Sequence, residues 1–354
     1  MPTNIGLPSI SIAFKELAST AIQRGSTGVV AMVLKDTTAT GYYEVFGSYD
    51  IPSGLSEENK KYIKLALLGN VTAPSKVCVY VLGEEGSIQT ALDYLETVEF
   101  NYLVVPEIGE DTETVKTFIE KMRNDVKFKV KAVLADEADN EGIINSTMDN
   151  VEMKEGTISK DVFCTVMAGL IAGTPLNQSV TYAVPKNVLN IPNQTKREAE
   201  TRVNNGELIL VKEAGKIRVA RGVNSLTTTT TEKGELFQKI KLVDTMDLIH
   251  NDIRKTCVDR YIGKVANNYD NKCILITAIK GYLEDLAVEQ LIEKDFEVEI
   301  DMEQQRKYLK SLGVDVNSMK EQEIKEANTN DKVFLKANIK LIDAMENIAL
   351  EIIL

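Results

Sequence analysis

From residue 76 onward, short apolar runs alternate with longer stretches of helical pattern. The apolar runs are rich in valine and have the length of buried strands; they are KVCVYVLG, NYLVVPE and FKVKAVLA. The stretches between them follow Ser87 and Asp111, residue types that often cap a helix N-terminus. A strand–helix–strand succession favours a parallel sheet with right-handed crossovers. We therefore predict an α/β domain over residues 76–233, completed by SKDVFCTVMAGLIAG, ELILVKEAG and KIRVARG.

The chain before this domain has a different pattern. VVAMVL and GYYEVFG are strand-like, and SEENKKYIKLALLG is a helix that Ser56 would cap, so we predict a small β-rich domain over residues 21–75. Residues 1–20 are typical of an extended arm, because Pro8 opposes a helix. The alternation there places three apolar side chains on one face: Ile10, Ile12 and Phe14.

A threonine run, TTTTTEKG, predicts a loop or linker after residue 226. Beyond it we predict an α+β domain over residues 234–344, mostly helical before two period-two apolar patterns. The first pattern contains Val333, Leu335, Ile339 and Leu341. The second, in a predicted strand over residues 345–354, contains Ile348, Leu350, Ile352 and Leu354. An apolar terminal strand needs a partner, either within its own subunit or in a neighbour.

Composition narrows the function classes. The chain has 354 residues and a formal net charge of −12, which argues against nucleic-acid binding and against docking on anionic membranes. MPTNIGLPSIS lacks the features of a signal peptide, and the longest apolar run, near residues 162–173, is too short to span a bilayer. Four scattered cysteines and one histidine make a zinc site improbable and fit free thiols in a reducing cytoplasm.

No catalytic or cofactor-binding motif stands out. Neither a P-loop nor a G-x-G-x-x-G is present, and Glu84 and Glu85 would repel a phosphate from the loop GEEGS. A Ser-His-Asp triad would have to use His250, which lies on a predicted amphipathic helix. We predict that the chain is not an enzyme and binds no cofactor. The alternative left open is an oligomeric α/β enzyme or nucleotide-binding protein.

Two motifs, GLIAGTPLNQSVTY and VARGVNSLTT, resemble the core of contractile phage tail sheath proteins. That family is shared with R-type bacteriocins and defective prophage particles. The start, GLPSISIAFKELASTAIQRG, and the ending, LIDAMENIALEIIL, are similar to the same family. The resemblance therefore extends from the first ten residues to the last ten.

The resemblance implies a structural subunit that polymerises helically around a tail tube and contracts to drive the tube through a cell envelope. It implies an outer β-rich domain, an α/β domain that is subtilisin-like in fold only, and a C-terminal domain facing the tube. The implied partners are copies of the chain itself, the tube protein, and baseplate and tail-terminator proteins. Assembly would take place in the bacterial host cytoplasm, before release of the phage or bacteriocin particle.

The resemblance also implies strand exchange, in which the terminal arms add strands to the C-terminal sheet of neighbours. The exchanged residues would be Ile10, Ile12, Phe14, Ile348, Leu350, Ile352 and Leu354, and the receiving strand would contain Val333, Leu335, Ile339 and Leu341. Four basic residues are candidates to face the tube: Arg254, Lys255, Arg260 and Lys264. An ordinary surface pair between Lys255 and Asp259 is the alternative for this region.

Overall fold

The computed structural model describes residues 21–25 and 27–353. The predicted arm residues Ile10, Ile12 and Phe14, together with Leu354, lie outside this part of the chain. The described residues form two compact units, referred to below as the larger and the smaller unit. The larger unit comprises Arg24–Asp252, Glu289–Glu293 and residues 341–353; the smaller comprises residues 21–23, Ile253–Val288 and Lys294–Lys340.

A six-stranded sheet is the centre of the larger unit, with the order β2-β3-β1-β4-β5-β6. Its strands are β1 (Val29–Lys35), β2 (Gly41–Val45), β3 (Lys76–Leu82), β4 (Tyr102–Val104), β5 (Lys131–Leu134) and β6 (Ile143–Asn145). Only the β2–β3 pair is antiparallel. The predicted parallel sheet is therefore confirmed. The continuous apolar runs of its strands follow from burial of both faces of the sheet.

The predicted boundary at residue 75 is wrong, because β1 and β2 belong to this same sheet. β1 lies between β3 and β4, and its first six residues are all buried. A run such as VVAMVL is typical of a central strand, whereas the alternation of a half-exposed β-rich domain would leave one face polar. Residues 21–75 thus do not form a separate domain.

Helices cover both faces of the sheet. They are α1 (Glu57–Ala66), α2 (Ile88–Leu95), α3 (Thr112–Asn124), α4 (Lys160–Ala172) and α5 (Lys196–Asn204). One buried cluster joins Ile63 of α1 and Phe163 of α4 to the sheet, and the other joins Leu92 of α2 and Ile119 of α3 to the opposite face. At Gly169, a Cβ atom would lie only 1.9 Å from the Ala66 carbonyl oxygen, so α4 requires glycine to approach α1 this closely.

Two small sheets complete the larger unit. Strands β7 (Val151–Met153), β8 (Gly156–Ile158) and β9 (Val188–Asn190) form one, and the hairpin of β10 (Leu210–Glu213) and β11 (Lys216–Val219) forms the other. Ala214 and Gly215 both have positive φ in the two-residue hairpin turn, as the preferred tight turns of hairpins require. The strands predicted in ELILVKEAG and KIRVARG are confirmed.

A buried charge cluster attaches helix α6 (Ile240–Thr256) to the sheet. Asp247 accepts hydrogen bonds from Arg123 at 2.8 and 3.0 Å and from Lys131 at 2.6 Å, and Asp244 lies 3.0 Å from the Lys131 ammonium. Burial raises the pKa of Asp244. Burial also pushes the pKa of Asp247 upward, but the Lys131 and Arg123 charges outweigh it and hold that pKa below its usual value. The compact larger unit therefore extends to Asp252 within α6, past the boundary predicted at residue 233.

In the smaller unit, the last turn of α6 leads into a π-helical turn, Cys257–Tyr261. The other elements are α7 (Tyr269–Val288), β12 (Glu297–Ile300), α8 (Met302–Ser311), α9 (Glu321–Glu326) and β13 (Leu335–Asn338). Leu309, Val316 and Ile324 form a small core between α8 and α9. β12 and β13 pair antiparallel, with Val298 opposite Ala337 and Ile300 opposite Leu335.

Candidate functional site

Leu341 and Ile342 attach the C-terminal segment to the larger unit. Leu341 forms an isolated antiparallel bridge with Ile292, and the Ile342 N–H donates to the Leu291 carbonyl at 3.0 Å. The Ile342 carbonyl in turn accepts a hydrogen bond from the Lys241 ammonium, and Lys239 forms an ion pair with Asp343. The segment is thus fixed by backbone contacts and by charges from the start of α6.

Glu346 provides a second attachment three residues further along. Its carboxylate accepts hydrogen bonds from the hydroxyls of Ser179 at 2.9 Å and Thr181 at 2.6 Å, and from the Arg221 guanidinium at 3.2 Å. The Lys239 ammonium lies 4.0 Å away. Only 8% of the Glu346 side chain is exposed, so the carboxylate is held by partners that replace its water. We call these four partners the Glu346 socket.

The loops that form the Glu346 socket are held together by backbone contacts. The Tyr182 N–H donates to the Val219 carbonyl at 2.8 Å, which brings residues 179–183 beside residues 219–222. The Gly222 N–H donates to the Thr181 hydroxyl at 2.9 Å. A Cβ atom at Gly222 would lie 2.9 Å from Val180 Cγ2, so this approach favours glycine. The motifs GLIAGTPLNQSVTY and VARGVNSLTT therefore meet, and together they bind Glu346.

Beyond Glu346 the chain changes character. Residues 347–353 are all exposed and belong to no helix or strand. Ile348, Leu350 and Ile352 expose 74–85% of their surface, and Ile353 exposes 87%. Soluble proteins seldom expose so many apolar side chains in succession, so these residues are candidates for contact with a partner. Within the described residues, the alternative of two C-terminal strands packed inside one subunit is not observed for residues 347–353.

The predicted receiving strand corresponds in part to β13. Leu335 lies in β13, whereas Val333 and Ile339 flank it and Leu341 belongs to the bridge with Ile292. Val298 and Ile300 of β12 are buried, but the last three residues of β13 are exposed. Among the described residues this sheet has two strands, which is fewer than an independently stable sheet usually needs.

Two family models match most of the chain. The model described as the phage tail sheath protein central domain matches residues 84–225, and the phage tail sheath C-terminal domain matches residues 232–354. A tail sheath protein of Clostridium phage phiCD119 is 49% identical over 354 residues, covering 98% of this chain and 99% of its own length. The chain belongs to the phage tail sheath family.

Solved sheath structures share the fold. The crystal structure of a sheath tail protein from Desulfitobacterium hafniense aligns with a TM-score of 0.68 and 18% identity, over 83% of this chain and 94% of that one. The helical sheath of the anti-feeding prophage in its contracted state aligns with a TM-score of 0.69 and 14% identity, over 100% and 99% of the two chains. The mixed α/β architecture predicted from the sequence is thus that of sheath proteins.

The sheath family is structural, and this chain is not an enzyme. His250 Nε2 lies 2.9 Å from the Lys127 carbonyl, and burial raises the pKa of the Cys78 and Cys164 thiols, which makes them poor nucleophiles. Over residues 21–25 and 27–353, no group of histidine, cysteine or carboxylate side chains is arranged to hold a metal ion. In the same residues, no helix is both long and apolar enough to cross a membrane.

The four basic residues predicted to face the sheath's tube lie along a single stretch of the smaller unit. Arg254 and Lys255 are in the last turn of α6, Arg260 is in the π-helical turn, and Lys264 follows it and donates to the Asp259 carbonyl. The stretch also exposes three apolar side chains that the sequence analysis did not select: Val258, Ile262 and Val265. Their positions, 258, 262 and 265, have helical spacing, so the sequence alone did not separate them from the pattern of the preceding helix.

Proposed function

We propose that this chain is the subunit of a contractile tail sheath, which polymerises as a helical sleeve around a tail tube and drives that tube through a target cell envelope. Family membership supports the assignment, and the anti-feeding prophage relative in the contracted helical state supports contraction. Its partners would be other copies, the tube protein, and baseplate and tail-terminator proteins. Assembly would occur in the host cytoplasm, and the sleeve would leave in the released particle.

Strand exchange between neighbours is the proposed means of polymerisation. The observation that carries it is the exposed apolar segment beyond Glu346, in which Ile348, Leu350 and Ile352 have no contact that would bury them in the described chain. The two-stranded β12–β13 sheet is the proposed acceptor; of the predicted receiving residues, Leu335 lies in β13, Val333 and Ile339 flank it, and Leu341 lies beyond it in the bridge to Ile292. Ile10, Ile12 and Phe14 of the N-terminal arm, with Leu354, would complete the exchanged strands. Each added backbone hydrogen bond contributes a net of about 0.5–1.5 kcal/mol, so several of them with apolar burial would hold neighbours together.

The finer domain roles are also part of this proposal. The six-stranded sheet and its helices would be the subtilisin-like part of the sheath fold, and residues 253–340 would face the tube. Arg254, Lys255, Arg260 and Lys264 would contact the tube, aided by the exposed apolar side chains around the π-helical turn. Cations on apolar stems suit an acidic partner surface with apolar patches.

The experiment places aspartate on the exchanged face of the C-terminal segment. The double variant Ile348→Asp with Leu350→Asp should remain folded, because both side chains are exposed, but should form no sleeves, because two carboxylates would be buried in a neighbour. Electron microscopy and sedimentation measure assembly, and circular dichroism with urea unfolding measures the fold.

The matched control is Ala349→Asp with Ile353→Asp, which adds the same charge to the alternate face. This control should retain most of its assembly. Equal loss of assembly in both double variants would show that charge alone opposes polymerisation, against the proposed strand pairing. Discrete particles from the wild-type protein, with no tubes or sleeves, would contradict the sheath function itself.

A further inference from the structure

Arg24 and Gly25, like the C-terminal segment, are held in place by contacts within the larger unit. The Arg24 guanidinium donates to Glu289 at 2.9 and 3.3 Å, and its Nε lies 3.8 Å from Asp252. The Gly25 N–H donates to the Asp252 carboxylate at 2.8 Å. Only 2% of the Asp252 side chain is exposed. The Arg24 guanidinium and the Gly25 N–H therefore hold the chain at residues 24 and 25, which follow the predicted arm in sequence.

Both attachments use the same short segment, Glu289–Ile292. Glu289 pairs with Arg24, the Leu291 carbonyl accepts from the Ile342 N–H, and Ile292 bridges Leu341. Leu291 and Ile292 are buried, at 1% and 0% exposure. Three residue steps separate Glu289 from Ile292, so the two attachments are at most about 10–11 Å apart along this segment. Two regions of chain more than 300 residues apart in sequence are brought to one place.

The conformation of the segment fits a fixed connection. Gln290 has a φ of 61°, a left-handed conformation that a non-glycine residue adopts only when its surroundings impose it. The imposing contacts are the ones just described, on Glu289 at one side and on Leu291 and Ile292 at the other. A substitution that breaks one attachment would therefore release Gln290 from its left-handed conformation and weaken the other attachment.

We propose that Glu289–Ile292 is a junction that couples the roots of the two terminal arms. This inference rests on the proposed sheath function for its purpose, but its physical content concerns a single chain. If the arms pair with different neighbours, a pull on one arm reaches the other through this junction. Without the Arg24 guanidinium contacts, the Gly25 bond to Asp252 would remain, but the direct connection of this part of the chain to Glu289 would be lost.

Hydrogen exchange in the purified, unassembled full chain tests the coupling directly. Arg24→Gln and Glu289→Gln should each speed exchange of the Ile342 amide about fivefold, the change that an exposed ion pair at the upper end of its usual strength can produce. Arg24→Lys, which keeps the charge, should restore most of the protection. In the double variant Arg24→Gln with Glu289→Gln, the Ile342 amide should exchange no faster than in either single variant, because the two substitutions remove the same contact.

The matched control is Glu284→Gln, an exposed site on α7 with the same loss of charge. It should leave Ile342 exchange unchanged. Unchanged Ile342 exchange in both Arg24→Gln and Glu289→Gln would overturn the junction, and so would additive effects in the double variant. Because exchange is measured before assembly, this result does not depend on whether the wild-type protein forms sleeves. Failure of the junction is therefore distinguishable from failure of the proposed function.

Discussion

The strands of the six-stranded sheet and those of the β12–β13 sheet differ in how they are paired and how deeply they are buried. In the six-stranded sheet, β1 is paired on both sides, its first six residues are buried, and helices cover both faces. In the β12–β13 sheet, β12 buries Val298 and Ile300, whereas residues 336–338 of β13 are exposed. The first sheet is complete within one chain. The second has two strands among the described residues and leaves most of β13 exposed.

This difference separates the stability of the subunit from its assembly. A strand buried on both sides contributes to folding, so damage there unfolds the chain. A strand with an exposed side and edge contributes little to folding, so damage there leaves the subunit intact and acts on its contacts with neighbours. Stability and assembly should therefore respond to different substitutions.

The largest effect on stability is expected for Val79→Ala in β3. Val79 is fully buried, and removing two methyl groups there should lower the free energy of unfolding by about 2–3 kcal/mol through lost burial and a residual cavity. The matched change Val333→Ala, beside β13, should cost about 0.5 kcal/mol or less, because Val333 is 43% exposed. Urea unfolding of the two variants measures the contrast. Similar losses at both sites would show that the two regions are equally part of the folded core.

A smaller effect, on assembly, is expected for Glu346→Gln. Glutamine keeps the shape of the side chain and can still accept from the Ser179 and Thr181 hydroxyls, but it loses its charge beside Arg221 and Lys239. The direction in which residues 347–353 extend from the larger unit should then vary more from molecule to molecule. We expect the protein concentration needed for sleeve formation to rise about tenfold, with little change in urea unfolding.

Glu351→Gln is the control for that variant, since Glu351 is exposed and lies in the same segment. It should assemble at the wild-type concentration. If Glu346→Gln formed sleeves at the wild-type protein concentration, the Glu346 socket would not control the position of residues 347–353. A large fall in unfolding free energy would instead make the socket part of the core.

The smallest effect concerns acid stability at Asp139. Hydrogen bonds from the backbone N–H groups of Thr228 and Thr227 lower the pKa of Asp139 from 3.8 to about 2. A lowered folded-state pKa adds stability above the unfolded-state pKa, and that stability is lost as the pH falls toward 2. Because Asp139 is exposed, Asp139→Asn should cost only about 1 kcal/mol at pH 7. Urea unfolding should show a smaller difference in unfolding free energy between the wild-type protein and Asp139→Asn at pH 2 than at pH 7. An equal difference at both pH values would mean that the loss comes from the shape of the amide and not from the missing charge.

Much of the fold could be predicted because its signals are local. Valine-rich runs between capped helical stretches predicted the parallel sheet, and Ala214-Gly215 between two strand patterns accounts for the β10–β11 hairpin. The boundary at residue 75 was wrong because a strand's neighbours in a sheet are not encoded by their order in the chain. β1 pairs with β3 and β4 across intervening elements, and only burial of both its faces indicates a central position.

The candidate site could be predicted only in part. The apolar alternation selected Ile348, Leu350 and Ile352, whose side chains are exposed, and their role in strand exchange stays a prediction. Glu346 gave no signal, because a single glutamate within an acidic chain is unremarkable until Ser179, Thr181 and Arg221 are known to surround it. The helical pattern of α6 also continued smoothly through Cys257 and Tyr261, so it did not reveal the π-helical turn there.

The Glu346 socket also sets an order of events during synthesis of the chain. Arg221 and Glu346 are separated by 125 residues, so a ribosome making about 5–20 residues per second needs roughly 6–25 seconds to add the second after the first. During that interval the loops bearing Ser179, Thr181 and Arg221 can already fold, while the segment that the socket directs does not yet exist. Nascent chains crowded on one messenger RNA would thus be unable to link through that segment until the part of each larger unit up to Asp252 had had time to fold.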